Sequence, residues 1–187
     1  RGSMIVDIGG GTTEVAVISL GGIVASNSVR VAGDEFDESI ISYLRRRRGI
    51  LIGSATAEAL KIKIGSAHPS CDGGEMEVCG RSLDSGLGAV MKIHSSEVRE
   101  AISGTLEQIV FGIKKTLDQT PPELSADIYD FGIMLTGGGS LLRGIDKLIS
   151  ERTGIQVKIA PRPLESVCMG ILRVIESEGK LGNLLQY

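Results

Sequence analysis

Asp7 is followed at once by Ile8-Gly9-Gly10-Gly11-Thr12-Thr13, an acid beside a bare run of backbone. Without Cβ atoms, successive N–H groups can converge on one point, and such a concavity suits a phosphate. The adjacent carboxylate suits Mg2+, held largely through water because that ion keeps part of its hydration shell. The hydroxyls of Thr12 and Thr13 add donors. This is not a P-loop, because no Lys-Ser/Thr pair follows, and not a dinucleotide turn, because a strand pattern comes next. The residues alone also fit a plain glycine-rich hairpin with a buried acid.

Leu135-Thr136-Gly137-Gly138-Gly139-Ser140 is a second turn of the same kind. It follows an apolar strand pattern and precedes a helical one, with Ser140 as the expected cap of a helix to about Thr153. Helix N-termini favour anions through free N–H groups and the dipole. A tight strand-to-helix crossover is the other reading. Two such turns in one domain, one beside an acid, favour a nucleotide site.

The elements that must carry these turns follow from periodicity. Met4 to Ile8, the alternation of Thr13, Val15 and Val17, and Ile23 to Val31 form three strands joined by glycine turns, an antiparallel meander. From Asp34, a plausible N-cap, Phe36, Ile40, Tyr43 and Leu44 share a helical face that ends in Arg45–Arg48 and Gly49. A second helix runs from about Thr56 to Lys63, stopped by Gly65. Pro69, Gly73, Gly74 and Gly80 then punctuate short strands near Glu75–Cys79 and Ala89–Ile93. Ser95 caps a long helix carrying Val98, Ile102, Leu106 and Ile113, which Pro121-Pro122 stops. Ile133–Leu135, Gln156–Ile159 and a final helix from Ser166 to Ser177 complete the order. This is an α/β domain around one mixed sheet flanked by helices.

Composition narrows the class. Glycine takes 26 of 187 positions, against a usual share of about 7%. Hydrophobic residues at 42% and charged residues at 23% exclude a largely disordered chain. A net charge of −3 argues against a nucleic-acid partner. Cys71, Cys79 and Cys168 form no CxxC pair, and with His68 and His94 as the only histidines a zinc site is not expected. Both histidines read as loop or strand-end residues without partners. An odd, sparse cysteine count suits reduced thiols in a cytosol.

Asp-Ile-Gly-Gly-Gly-Thr-Thr-Glu-Val resembles the second phosphate motif of the actin/Hsp70 ATPase superfamily, and Leu-Thr-Gly-Gly-Gly-Ser-Leu-Leu resembles its adenosine motif. Ser28–Asp34, Leu51–Glu58 and the Thr120-Pro121-Pro122-Glu123-Leu124 run narrow the resemblance to the MreB/Mbl family of bacterial actins. It covers nearly the whole chain. It implies an actin-like ATPase domain of the RNase H-like kind, with ATP and Mg2+ as cofactors. Asp7 would organise the metal; Gly9, Gly10, Gly11, Thr12 and Thr13 would meet the phosphates. Glu58 and Lys61 match positions facing ribose and adenine, although a solvated helical face is the other reading. Gly137, Gly138, Gly139 and Ser140 would line the opposite side of the nucleoside.

The resemblance also implies a rod shape-determining, filament-forming protein in the cytoplasm. It would be membrane-associated when intact, with itself, the cell-wall elongation machinery and the inner membrane surface as partners. The intact protein would hydrolyse ATP slowly between two halves. The first phosphate hairpin and the water-orienting acid lie upstream of Arg1 in the family, so this chain alone is expected to be inactive. The expected division is a main subdomain at 4–65 and 95–160, a small inserted α/β lobe at 66–94, and a segment at 161–187 returning to the first half. Within that last segment, Val167–Leu172 keeps only Gly170 of the small residues usual there. An Hsp70-like or FtsA-like ATPase, or an interaction module that binds no nucleotide alone, are the alternatives. Arg45–Arg48 reads as a solvated helix end, with a filament or membrane-surface role as the alternative.

Overall fold

A computed structural model describes residues 2–176. Strands β1 (Gly2–Ile8), β2 (Thr13–Ser19) and β3 (Gly22–Val29) form the antiparallel meander. Alternation decides the register. Met4 opposes Val17, Val6 opposes Val15 and Ile8 opposes Thr13, and all six are buried on one face of β1 and β2. Two short strands, β7 (Ile133–Thr136) and β8 (Val157–Ile159), add in parallel beyond β1, giving the order β3-β2-β1-β7-β8. The sheet is mixed, as expected.

Helix α1 (Gly33–Arg48) buries Phe36, Ile40 and Leu44 at helical spacing, and α3 (Ser95–Asp118) buries Val98, Ile102, Leu106, Ile109 and Ile113. Gly112 lets α3 approach β3: a Cβ there would fall less than 3.0 Å from the Val29 side chain. Helix α2 (Ser54–Ile64) packs on α1. A second sheet, ordered β4-β5-β6, combines β4 (Ile50–Leu51), β5 (Glu75–Ser82) and β6 (Gly88–His94). Its hairpin adds no strand to the main sheet, while its first strand comes from residues ahead of position 66.

Four local expectations are corrected. Asp34 does not cap α1; the helix opens at Gly33, and its first N–H groups are taken by carbonyls of the glycine hairpin. Ser95 is the first residue of α3, not its cap: His94 holds that position, where its backbone N–H donates to Glu97 Oε2 at 3.0 Å. Pro121-Pro122 does more than stop a helix. Pro122 opens another, α4 (Pro122–Phe131), where a missing N–H costs nothing in the first turn. Ser140 does not cap a helix running to Thr153, because a 3-10 turn spans Gly138–Leu141 and α5 (Ile145–Thr153) begins only after Gly144. The intervening chain is drawn into a bridge in which the Ala67 N–H donates to the Arg143 carbonyl at 2.7 Å. Helix α6 (Ser166–Glu176) forms as expected within the described residues; Ser177 and the remainder of the 161–187 segment lie outside them.

His68 also has partners. Its Nδ1 lies 2.9 Å from Ser70 Oγ and its Nε2 lies 2.9 Å from Glu151 Oε2, which pins the Pro69–Cys71 turn to α5. His94 Nδ1 lies 3.5 Å from Glu75 Oε2. The contacts with Glu151 and Glu75 join residues too distant in sequence for spacing to foretell. The cysteines of the described chain are free.

Asp72 ties the smaller sheet's approach to α3. Arg99 Nε donates to both its oxygens at 3.0 Å, and the Ser66 hydroxyl donates to Oδ1. Burial pushes this carboxyl up, but the hydrogen bonds from Arg99 and Ser66 and the charges of Arg99 and Arg143 bring it below the usual range. A depressed folded-state pKa means stability present above the unfolded value and lost as pH falls through the folded one. Asp72→Ala is expected to cost about 2 kcal/mol at neutral pH, read as a lower urea midpoint, with the deficit closing in acid. An unchanged midpoint at neutral pH would remove Asp72 from the ties that hold the two sheets.

Candidate nucleotide-binding site

Strand β1 pairs in parallel with β7, and the register sets Asp7 opposite Thr136. Both glycine turns therefore leave the same edge of the sheet side by side. The chain departs from them in opposite directions, from β1 toward β2 and from β7 toward β8, the arrangement at which open α/β sheets form ligand crevices.

The contact between the turns is intimate. A Cβ on Gly137 would fall less than 3.0 Å from Asp7 Oδ1 and the Ile8 carbonyl, and one on Gly139 would strike the Ile8 side chain. Gly137 also has φ +81° with ψ 166°, an extended positive-φ conformation that glycine adopts without strain. Its N–H donates to the Pro163 carbonyl at 3.0 Å, and Thr136 Oγ1 donates to the same oxygen at 3.0 Å. Ser140 is fully buried and closes the turn by donating to the Gly137 carbonyl at 2.6 Å.

The first turn is held from outside. The Gly33 N–H donates to the Gly9 carbonyl at 3.1 Å and the Asp34 N–H to the Gly10 carbonyl at 2.8 Å. Gly9 N–H closes the loop on the Thr12 carbonyl at 3.0 Å. Among the described residues, no backbone acceptor takes the N–H of Gly10 or Gly11. These donors stand free for an anion.

Between the turns and α2 lies a cavity of about 480 Å3. Of the residues singled out in the sequence, Gly9, Gly10, Glu58, Lys61, Gly138 and Gly139 line it. Gly11 and Thr12 are exposed on the same hairpin beyond the wall, and Asp7 is half-buried behind it against Gly137. Thr13 is fully buried, and its hydroxyl donates to the Val31 carbonyl at 2.7 Å, so it serves the fold instead of the cavity. Ser140 is spent in the same way.

The sequence reading passed over the start of α1. Gly33, Asp34 and Asp37 line the cavity, with Arg143 and Leu164 on other walls. Asp37 follows Gly33 by one helical turn, so the two share a face. That spacing was the available signal.

Burial raises the Asp37 carboxyl, against the hydrogen bond and charge of Lys61 that lower it. Burial likewise raises Asp7, with the Glu14 charge adding to it. Among the described residues no cluster of three His, Cys, Asp or Glu side chains is arranged to cage a metal. A lone half-buried carboxylate beside free N–H groups instead fits a hydrated Mg2+ accompanying a phosphate.

With this geometry in place, similarity to known proteins decides the family. The sequence matches the family described as MreB/Mbl protein over residues 1–183. The chain belongs to the MreB/Mbl family. It is 53% identical over 175 residues to the cell shape-determining protein MreB of Escherichia coli K12, covering 94% of this chain and 50% of that protein. Against the cell shape-determining protein Mbl of Bacillus subtilis 168 the identity is 44%, covering 96% of this chain and 54% of that one. The crystal structure of MreB5 of Spiroplasma citri bound to ADP superposes with a TM-score of 0.91 at 40% identity. That match covers 95% of this chain and 54% of the MreB5 chain. The chain thus spans about half the length of the relatives it matches, and its fold class is the actin-like α/β class. Among the described residues no helix is long and apolar enough to cross a membrane.

Proposed function

We propose that this MreB/Mbl chain supplies one half of an ATP–Mg2+ site in a filament-forming protein that determines cell shape. One observation carries the reading: two glycine turns abut at adjacent parallel strand ends, with Asp7 between them, and open on a cavity walled by Glu58 and Lys61. The free N–H groups of Gly10 and Gly11 would meet the phosphate end, while Gly138 and Gly139 would border the nucleoside opposite Glu58 and Lys61. Asp7, with Mg2+ waters between, would hold the metal, which when bound offsets phosphate charge. MreB5 of Spiroplasma citri has been solved bound to ADP and bound to AMPPNP, which supports the choice of ligand.

The wider reading follows the family. It makes the intact protein a slow ATPase of the cytoplasm that polymerises with itself, lies at the inner membrane surface and works with the cell-wall elongation machinery. The division into a main subdomain at 4–65 and 95–160, a small lobe at 66–94 and a returning segment from 161 belongs to the same proposal. Membership of the family sets aside the Hsp70-like and FtsA-like alternatives. A pure interaction module is kept as a second reading for one reason: Leu164, Val167, Ile171 and Ile175 form an exposed apolar stripe on and before α6.

Asp7→Ala tests the site. In a chain completed to the length of its relatives, calorimetric titration should show Mg2+-dependent ATP affinity reduced at least about tenfold, or about 1.4 kcal/mol. Because burial raises the Asp7 carboxyl, and the metal needs it ionised, affinity of the unchanged chain should fall as pH drops through that raised value. The same Mg2+ dependence in mutant and parent would take Asp7 out of the site.

A further inference from the structure

The two walls of the cavity meet in one peptide. Lys61 Nζ donates to the Gly33 carbonyl at 3.0 Å and to Asp37 Oδ2 at 2.9 Å, with the Lys61 and Asp37 side chains only 17% and 15% exposed. The Gly33 carbonyl and the Asp34 N–H belong to the same amide, and that N–H donates to the Gly10 carbonyl at 2.8 Å. The Gly10 carbonyl in turn shares an amide with the Gly11 N–H, which has no backbone acceptor among the described residues. A charge thus heads an unbroken series: ammonium, peptide 33–34, peptide 10–11, free donor. Each hydrogen bond accepted at a carbonyl polarises its amide and strengthens the N–H on the other side.

Asp37 is the odd member. Its Oδ1 is buried without a partner, and Glu58 and Asp34 both add negative charge nearby. A half-satisfied carboxylate in such a place is a poor packing choice. Its one bond holds the ammonium that heads the series.

We propose that Asp37 is a positioning residue that fixes Lys61 on the Gly33 carbonyl, and that this relay sets how strongly the Gly11 N–H binds a phosphate anion. The inference rests on the nucleotide reading for its ligand, while the relay itself belongs to the free chain. A lysine has three donors, and two are spent here, so a nucleoside taking the third or displacing one would be felt at Gly11.

Amide NMR of the isotope-labelled 187-residue chain tests this, with inorganic triphosphate as the probe. In Asp37→Asn and Lys61→Met, the Asp34 amide should exchange at least tenfold faster, and its proton should move upfield as its bond weakens. Val6 and Val15 should be unaffected, Asp37→Glu should restore part of the protection, and Lys63→Met on the same helix should behave as the parent. The triphosphate-induced shift of Gly11 should shrink in both variants. An unchanged Asp34 amide overturns the relay, as does uniform acceleration across the sheet, which would mean a merely structural role. A different failure marks the nucleotide reading: no Gly11 shift with triphosphate in a chain completed to the length of its relatives, which refutes that reading and the ligand end of the relay together, even where the Asp34 response holds.

Discussion

Titrated with ATP and Mg2+, these 187 residues by themselves are expected to bind at least about a hundredfold more weakly than a chain completed to the length of its relatives, and to turn none over. They supply Asp7, one phosphate hairpin and one nucleoside turn. A nucleotide gripped from two sides gains phosphate contacts from each. Losing two charge-assisted hydrogen bonds at roughly 1.5–3 kcal/mol apiece weakens binding by two decades or more. Hydrolysis needs, in addition, a group that positions the attacking water. The acids lining the described cavity are Asp34, Asp37 and Glu58. Asp37 is engaged with Lys61, and Asp34 and Glu58 raise its carboxyl through their charge. Turnover by the purified 187 residues at the rate of the completed chain, with contaminating ATPase excluded, would defeat the half-site account.

Gly137→Ala is expected to cost about 3 kcal/mol or more of folding stability, the second large effect. The backbone at φ +81° and ψ 166°, a region essentially reserved for glycine, alone costs an alanine about 1–3 kcal/mol. The new methyl would also press on the Asp7 carboxylate and the Ile8 carbonyl, parts of a buried strand that cannot move aside cheaply. Gly138→Ala is the control. Its backbone is ordinary and its nearest neighbour is the end of the Leu164 side chain at 3.3 Å, so it should lose far less. Urea midpoints of the two variants falling together would deny that Gly137 is where the turns interlock.

Much of this architecture was legible because it is local. The β1–β2 hairpin reads directly from Asp7 to Val17: alternating valines and a glycine turn leave one register that buries Met4, Val6 and Ile8. The long face of α3 reads equally well from its spacing. Errors came where a distant partner overrode local chemistry. Asp34 looks like a helix cap by type, yet the helix already opens at Gly33, and the Gly33 and Asp34 N–H groups go to Gly9 and Gly10, more than twenty residues earlier. Ser140 looks like a cap too, but the bridge between Ser66 and Arg143 delays the helix. Proline's double role at Pro121-Pro122 hid α4, since one residue both ends and begins helices.

At the site, glycines announced themselves while acids did not. A run of three glycines has few explanations, so both turns stood out. Lys61 emerged through resemblance alone, because nothing in α2 marks which lysine turns inward: Lys63 is exposed one half-turn away. Asp37 stayed hidden because its meaning depends on that lysine, 24 positions away. Thr13 illustrates the opposite error. A hydroxyl beside a phosphate motif suggests a ligand, but strand alternation turns it inward to Val31.

Hydrogen exchange of the completed chain, followed peptide by peptide with and without ATP–Mg2+, tests the central claim most directly. Protection should appear together in the segments holding Asp7–Thr12, Glu58–Lys61 and Gly137–Gly139, and should vanish when Mg2+ is withheld from the first of them. Protection confined to other surfaces, such as α6, with these three segments unchanged at saturating nucleotide, would contradict it.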